Sequence, residues 1–246
     1  MVFRKTEYIL TKIFQNIIIK QTLQNMRYER EQNMPPKPKF TKEEVIDAAY
    51  ELMEEKGIAA VVARDIGKKL NTTTTPIFTY FSGMDELKEA VYQKALAEST
   101  EYIKECLNYS PAFKEFGLRW IRFSKEHPNI YRLVYMLEGV SRPTVGFVNQ
   151  DFLEVLSPMV EEVMGNFGLT RENAETLVKE MSLHAQGIAS FCVRNAEVFQ
   201  EQEISESLGR VCLSLVMGFK IQDGSYNEEM ARFMLSHTGD MPKRRK

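Results

Sequence analysis

The sequence has few of the residues that build cross-linked or metal-bound proteins. It contains three cysteines and three histidines among 246 residues. The cysteines, Cys106, Cys192 and Cys212, lie far apart in apolar surroundings, which fits neither a disulfide framework nor a zinc site. We therefore expect a protein of a reducing compartment, the cytoplasm, that uses no metal and no cofactor.

Long apolar runs are also missing. No stretch of about 18 apolar residues occurs, so we expect no membrane-spanning helix and no membrane partner. The apolar stretch near the start is interrupted by Lys12, Gln15 and Asn16, which is not typical of a signal peptide.

Motifs of the common catalytic sites are absent from the sequence. It has no glycine-rich phosphate loop, no Ser-x-x-Lys and no Gly-x-Ser-x-Gly. Glu180 and His184 share a helix face, but they are four residues apart, whereas metal-binding helical bundles use a spacing of three and two such pairs. A histidine packed in the core is the simpler interpretation. The sequence contains no set of catalytic residues that would support an enzyme.

The composition does provide for a substantial helical core. Apolar residues make up 43% of the chain and aromatic residues 11%, enough for one or two domains. Prolines and glycines cluster at a few positions, and no strand-like alternation interrupts the long helical stretches. The predicted fold class is all-α: an N-terminal three-helix helix-turn-helix domain followed by a helical-bundle regulatory and dimerisation domain.

Residues 62–81 form the most informative stretch. Apolar residues recur at helical spacing in its first half: Val62, Ile66 and Leu70. Asn71 tolerates the left-handed conformation that ends helices. Thr73 is then the expected N-cap of a second short helix, with Pro76 in its first turn. Two short helices joined by a tight turn indicate a helix-turn-helix, and an ordinary helical hairpin is the alternative.

The flanking residues favour the first interpretation. Thr41 and Glu44 form a capping box, and Gly57 ends that helix after an apolar stripe. Residues 41–91 resemble, without gaps, the DNA-binding domain of the TetR family of transcriptional regulators. The matching residues are Ala48-Ala49, Gly57, Arg64-Asp65-Ile66, the aromatic-x-Tyr-Phe run at 78–81, and Glu86-Leu87.

Some positions depart from the family pattern. Val61 and Val62 stand where Thr or Ser is usual, Asn71 where Gly is usual, Phe78 where Tyr is usual, and Met84 where a phosphate-contacting Lys is usual. The net charge of −2 does not itself indicate a nucleic-acid partner. The basic residues flank the turn instead: Lys37, Lys39, Arg64, Lys68 and Lys69.

The resemblance implies a homodimeric repressor that binds a double-stranded DNA operator. Its recognition helix, Thr74 to Phe81, would enter the major groove. The expected base contacts come from Arg64, Thr74, Thr75 and Thr79. Pro76 and Phe78 would touch thymine methyl groups, and Tyr80 would reach a phosphate. The alternative function is an all-α adaptor, or an enzyme, without DNA-binding activity.

The chain divides into four expected parts. Residues 1–33 are either an over-extended start before Met34 or an amphipathic arm that docks on the body or on a membrane surface. Residues 34–91 form the helix-turn-helix domain, opened by an extended proline-rich arm. Residues 92–225 form the ligand-binding and dimerisation domain, and residues 226–246 a solvated basic tail.

The second domain has candidate ligand-binding and interface residues. A small apolar ligand, which the sequence does not identify, would lie among side chains from several helices: Trp120, Phe123, Tyr135, Phe152, Met159 and His184. The competing interpretation is that these side chains fill the core. The resemblance further implies that late helices pair between subunits, and the candidate stripe is Leu208, Val211, Cys212, Leu215 and Phe219.

Overall fold

A computed structural model describes residues 19–24, 26–27, 39–139 and 150–245. The chain divides into two compact units, Met1–Lys39 and Phe40–Lys246. In the first unit, residues 19–24 and 26–27 are helical and exposed. The amphipathic arm expected around residues 9–18, the start at Met34 and most of the proline-rich arm lie outside the described residues.

The second unit begins with four helices that match the expected head. They are α1 (Lys42–Lys56), α2 (Ala63–Lys69), α3 (Thr75–Tyr80) and α4 (Met84–Lys104), with a 3-10 turn at Ile58–Ala60. The capping box is confirmed, since the Glu44 N–H donates to Thr41 Oγ1 at 3.1 Å and the Thr41 N–H donates to Glu44 Oε2 at 2.7 Å. Gly57 ends α1 with a φ of 83°, a conformation that glycine adopts freely.

Six further helices build the body. They are α5 (Ala112–Glu126), α6 (Pro128–Tyr135), α7 (Gln150–Phe167), α8 (Arg171–Cys192), α9 (Glu201–Gln222) and α10 (Glu228–Ser236). A 3-10 turn, Glu105–Asn108, joins α4 to a two-residue strand, β1 (Tyr109–Ser110), and a second short strand, β2, covers Lys243–Arg244. As expected, the helix that starts near Pro111 ends at the His127-Pro128 pair.

The body packs around α5. This helix contacts α4, α6, α7, α8 and α9, and nearly all of its residues are buried, including Phe116, Trp120 and Phe123. The sequence suggested one aromatic face for this segment, but α5 is enclosed on almost every side. It is therefore the central element of the body.

The C-terminal residues do not form a solvated tail, so that expectation is wrong. β2 pairs antiparallel with β1, with Tyr109 opposite Arg244. The Arg245 N–H donates to the Asn108 carbonyl at 2.7 Å, and the Lys114 ammonium donates to the carbonyls of Thr238, at 2.7 Å, and Asp240. These bonds fold residues 237–245, hereafter the C-terminal strap, back onto the start of α5.

The predicted all-α class is confirmed. The described residues contain helices and one two-stranded pairing. None of their helices combines the length and the low polarity that crossing a bilayer requires.

The strap fits closely against α9 at a glycine, which yields a test. A Cβ atom on Gly209 would overlap the backbone of Thr238, with its Cα only 2.9 Å away. We expect Gly209→Ala to lower the free energy of unfolding by about 1–3 kcal/mol through overpacking and to expose the strap to limited proteolysis. Chemical denaturation and mass spectrometry of the fragments would measure both effects.

Gly165→Ala is the matched control. A Cβ at Gly165 meets nothing within 4 Å, so this change should stabilise α7 by up to about 1 kcal/mol through helix propensity. Equal behaviour of the two variants would contradict the close fit at Gly209.

Candidate nucleic-acid interface

The short helix α3 is held by the residues on its inner face. Ile77 and Phe81 are buried, and the Tyr80 hydroxyl donates to the Phe40 carbonyl at 2.8 Å. Because that bond uses the phenol's single proton, Tyr80 anchors the helix in this structure, and its proton is not free for the phosphate contact expected from the sequence. The sequence gives no signal for this contact, since Phe40 lies 40 residues earlier.

The turn between α2 and α3 depends on two residues. Asn71 has a φ of 50°, so its predicted left-handed conformation is confirmed. Gly67 is buried, and a Cβ there would lie 3.0 Å from the Thr72 carbonyl oxygen. The Thr72 N–H in turn donates to the Gly67 carbonyl at 2.8 Å. The turn can pack this tightly onto α2 because residue 67 has no side chain.

The start of α3 differs by one residue from the expectation. The N-cap position is Thr74, and its side chain makes no capping hydrogen bond. The predicted cap, Thr73, instead accepts from the Thr75 N–H at 3.4 Å and donates to the Thr75 hydroxyl at 3.1 Å. The reason is local: the Thr73 hydroxyl bonds two residues ahead, as in a Ser/Thr turn. Pro76 lies in the first turn, as predicted.

The outer face of α3 is open to solvent beside α2. Its exposed residues are Thr74, Thr75, Phe78 and Thr79, with Pro76 half-buried. Phe78 has 53% of its surface exposed, and the Thr79 hydroxyl donates to the Thr75 carbonyl at 3.0 Å, which leaves its oxygen as an acceptor. The outer face thus combines hydroxyl groups with an exposed aromatic ring.

Arg64 lies on the exposed side of α2. Its side chain is 78% exposed, with Nε 3.7 Å from Asp65 Oδ1, a weak surface pair that a stronger anion could replace. Lys68 Nζ also pairs with Asp65, and this hydrogen bond lowers the pKa of the carboxyl group. Arg64 and the outer face of α3 are therefore both exposed to solvent, and their joint contact with DNA stays a prediction.

Lys69 does not join this surface. Its ammonium lies 2.8 Å from Glu51 Oε2 and 3.2 Å from Glu55 Oε1, both on α1, and these hydrogen bonds raise its pKa. Lys69 is therefore not available to the basic patch around the turn, which is smaller than the sequence predicted.

The residues proposed for a ligand pocket have packing roles in the body. Trp120, Phe123, Tyr135 and Met159 are buried. The Trp120 indole N–H lies 3.0 Å from Gln186 Oε1, and its ring centroid lies 4.6 Å from that of Tyr135. The five described side chains of the set do not line the apolar cavity described below, and the side chain of Phe152 lies outside the described residues.

His184 is half-buried on α8. Its Nε2 lies 3.2 Å from the Ser207 hydroxyl on α9, and burial lowers its pKa, which favours the neutral imidazole. The described residues contain no group of three or more potential metal-binding side chains. These contacts give His184 the role of joining two helices.

An apolar cavity of about 230 Å³ lies elsewhere in the body. It is bounded by α5, α7, α9 and α10, with one residue from α8. The sequence did not indicate it, because α10 was expected to be part of an unstructured tail.

The expected interface stripe is only partly accessible. Leu208 is buried, so it has no free surface for an interface, whereas Val211, Cys212, Leu215 and Phe219 are half-buried. Cys212 also lines the cavity. Large apolar side chains are exposed instead at Leu183 and Phe191 on α8 and at Ile221 on α9. Helical geometry turns Leu208 and Cys212 inward because α9 packs on α5 through that side.

The left-handed residue of the turn provides a test. Alanine in this conformation costs about 1–2 kcal/mol, whereas glycine adopts it without strain. We expect Asn71→Ala to lower the free energy of unfolding by about 1 kcal/mol and Asn71→Gly to leave it unchanged or slightly higher. Denaturant titration of both variants would measure this difference, and equal stability would contradict the role assigned to Asn71.

Comparisons with known proteins agree with this geometry. Residues 45–91 match the family described as bacterial regulatory proteins, tetR family. An HTH-type transcriptional repressor of Mycobacterium tuberculosis and an uncharacterized HTH-type transcriptional regulator of Mycobacterium bovis are each 24% identical over 148 residues, 59% of this chain and 54% of theirs. The match thus spans about half the length of these curated relatives.

A solved structure also resembles the chain. It is a TetR variant from Acinetobacter baumannii AYE in complex with minocycline, with a TM-score of 0.46 and 17% identity over 75% of this chain and 98% of that one. Residues 45–91, which carry the helix-turn-helix, are thus similar to the tetR family of bacterial regulatory proteins.

Proposed function

We propose that this protein is a homodimeric transcriptional repressor of the cytoplasm, which binds a double-stranded operator and leaves it when a small apolar molecule binds the body. The observation that carries the proposal is the outer face of α3. Phe78 is exposed in the middle of a helix whose inner face is firmly anchored. An anchored helix with hydroxyl groups and an apolar ring pointing outward suits the major groove.

Each exposed residue has a chemical role in this proposal. Arg64 would donate two hydrogen bonds to guanine O6 and N7, while Phe78 and Pro76 would contact thymine methyl groups. The Thr79 oxygen would accept from an exocyclic amine of adenine or cytosine. Tyr80 would act indirectly, since it positions α3 through the Phe40 carbonyl.

The exposed face of α8 and α9 supports a homodimer. Leu183, Gly187 and Phe191 follow one another at helical spacing on α8, and Gly218 and Ile221 share a face of α9. The space over both glycines is open, so another helix could approach closely. Two copies of this face would form a four-helix interface of the kind that twofold dimers use.

A contact between head and body supplies a route for regulation. The Asn129 amide on α6 donates to the Glu54 carbonyl on α1 at 2.9 Å, and within the head the Tyr50 hydroxyl on α1 donates to Glu98 on α4 at 2.6 Å. A molecule that favours one arrangement of α4 and α6 would thus change the spacing of the two heads. Such a molecule regulates only if it binds one state better than the other.

Arg64 provides the direct test of DNA reading. We expect Arg64→Ala to weaken binding by about 1–3 kcal/mol and to relax the base preference at one position in each half-site. The measurement is fluorescence anisotropy on duplexes that the purified wild-type protein has selected from a random library, followed by single-base substitutions of the best duplex.

Arg171→Ala is the control for this experiment. Arg171 is exposed at the start of α8, where it pairs with Glu161, and its loss should leave DNA binding unchanged. A uniform loss across all duplexes with Arg64→Ala would make Arg64 a phosphate contact. If the wild-type protein selects no duplex, the proposed function is wrong.

The dimer interface is tested with introduced charge. We expect the double variant Leu183→Glu, Ile221→Glu to raise the dimer dissociation constant by roughly tenfold or more, because carboxylates would be buried against each other. Analytical ultracentrifugation would measure the shift. Leu235→Glu, on the exposed side of α10, should remain dimeric, and a monomeric wild-type protein would contradict the proposed interface.

A further inference from the structure

The C-terminal residues form one side of the apolar cavity of the body. Phe113, Phe116 and Leu213 supply part of its apolar lining, and Phe233 and Met234 of α10 line it from the C-terminal side. At about 230 Å³ it has room for roughly eight groups the size of a water molecule. An apolar space of this kind suits a short hydrocarbon chain better than water, because water would find few polar partners there.

One lysine lies at this cavity. Lys114 is the only Lys or Arg among the described residues that line it, and His237 lies there as well. Its ammonium donates to two backbone carbonyls of the C-terminal strap, those of Thr238 and Asp240, and within the described ranges no carboxylate lies within ion-pair distance. An ammonium group has three donors, so one N–H remains for another acceptor.

The setting of Lys114 favours an anion. Burial lowers the pKa of its ammonium group, and the charge of Asp240 offsets this effect only in part. A half-buried positive charge that is held by neutral carbonyls would gain from an anionic partner, because hydrogen bonds between charged groups are stronger than those to neutral groups. The other polar side chains of the lining are Asn166, His237 and Thr238.

We propose that this cavity binds a linear aliphatic carboxylate of medium chain length. The chain would fill the apolar space between α5, α9 and α10, and the carboxylate would accept a hydrogen bond from Lys114 Nζ. A single ammonium group matches a single carboxylate, whereas a phosphate would demand more donors than the lining offers.

Binding at this position would act on two elements at once. The carboxylate would accept the third N–H of Lys114, beside the two bonds that hold the strap carbonyls of Thr238 and Asp240. The chain would press on α9 at Leu208 and Leu213, on the side of the helix opposite the exposed face near Gly218. This regulatory consequence rests on the proposed function, whereas occupancy of the cavity can be measured without DNA.

The first experiment uses the full-length wild-type chain without DNA. Isothermal titration calorimetry with saturated carboxylates from hexanoate to tetradecanoate should show affinity rising by about fourfold per methylene group and then levelling once the cavity is full. Each primary alcohol of matched length should bind at least tenfold more weakly. Equal binding of acid and alcohol, or no saturable binding of either, would overturn the proposal.

Two variants locate the binding in this cavity. Lys114→Met keeps an unbranched side chain but removes the charge, so it should weaken decanoate at least tenfold and leave decanol unchanged. Cys212→Phe should fill the cavity and abolish the binding of both compounds. Thermal melting establishes that each variant is folded, and Lys104→Met, an exposed lysine on α4, should bind decanoate like the wild type.

The results separate this inference from the proposed function. If decanoate binds as described but the protein selects no DNA, the cavity assignment stands and the repressor proposal fails. If the protein selects DNA but Cys212→Phe binds decanoate like the wild type, the cavity assignment is wrong and the repressor proposal is unaffected.

Discussion

Because α5 is enclosed by the other helices of the body, some of its charged residues are buried and must find partners inside the protein. Glu115 is 3% exposed and Arg119 is 8% exposed. Arg119 Nη2 lies 2.8 Å from Glu105 Oε2, and its Nη1 donates to the Tyr102 carbonyl at 2.9 Å. Its Nε lies 3.2 Å from Glu115 Oε1 without a well-aligned hydrogen bond, so that attraction is mainly electrostatic. A buried charge that lost its partner would be strongly destabilising.

This pairing also fixes how the body is joined to the head. Tyr102 belongs to α4 and Glu105 to the turn that follows it, so Arg119 holds the end of the helix that begins beside the helix-turn-helix. Tyr50 on α1 bonds to Glu98 in the same half of α4, and Asn129 on α6 bonds to Glu54 on α1. Together these bonds tie the second half of α4 to α1 and α5, and they join α6 to α1.

The sequence predicted the features that depend on local chemistry. The capping box at Thr41, the left-handed Asn71 and the position of Pro76 each follow from neighbouring residues, and all were found. Contacts between distant residues gave no such signal. Tyr80 meets Phe40 across 40 residues and Lys114 meets Thr238 across 124, so the anchor of α3 and the strap were missed. Trp120 was predicted to line a ligand pocket, but it packs in the core. The sequence could not distinguish the two, because aromatic residues at helical spacing occur in cores as well as in pockets.

The strap gives the body an order of assembly. Glu162 accepts from the N–H groups of Ala112 and Phe113 at the start of α5 and also pairs with Arg245, so this junction is completed by residues near position 245. During synthesis, residues 41–91 leave the ribosome long before these, and domains generally fold as units from the N-terminal side. The junction between the strap and α5 can therefore form only after residue 245 has left the ribosome, well after the helix-turn-helix has been synthesised.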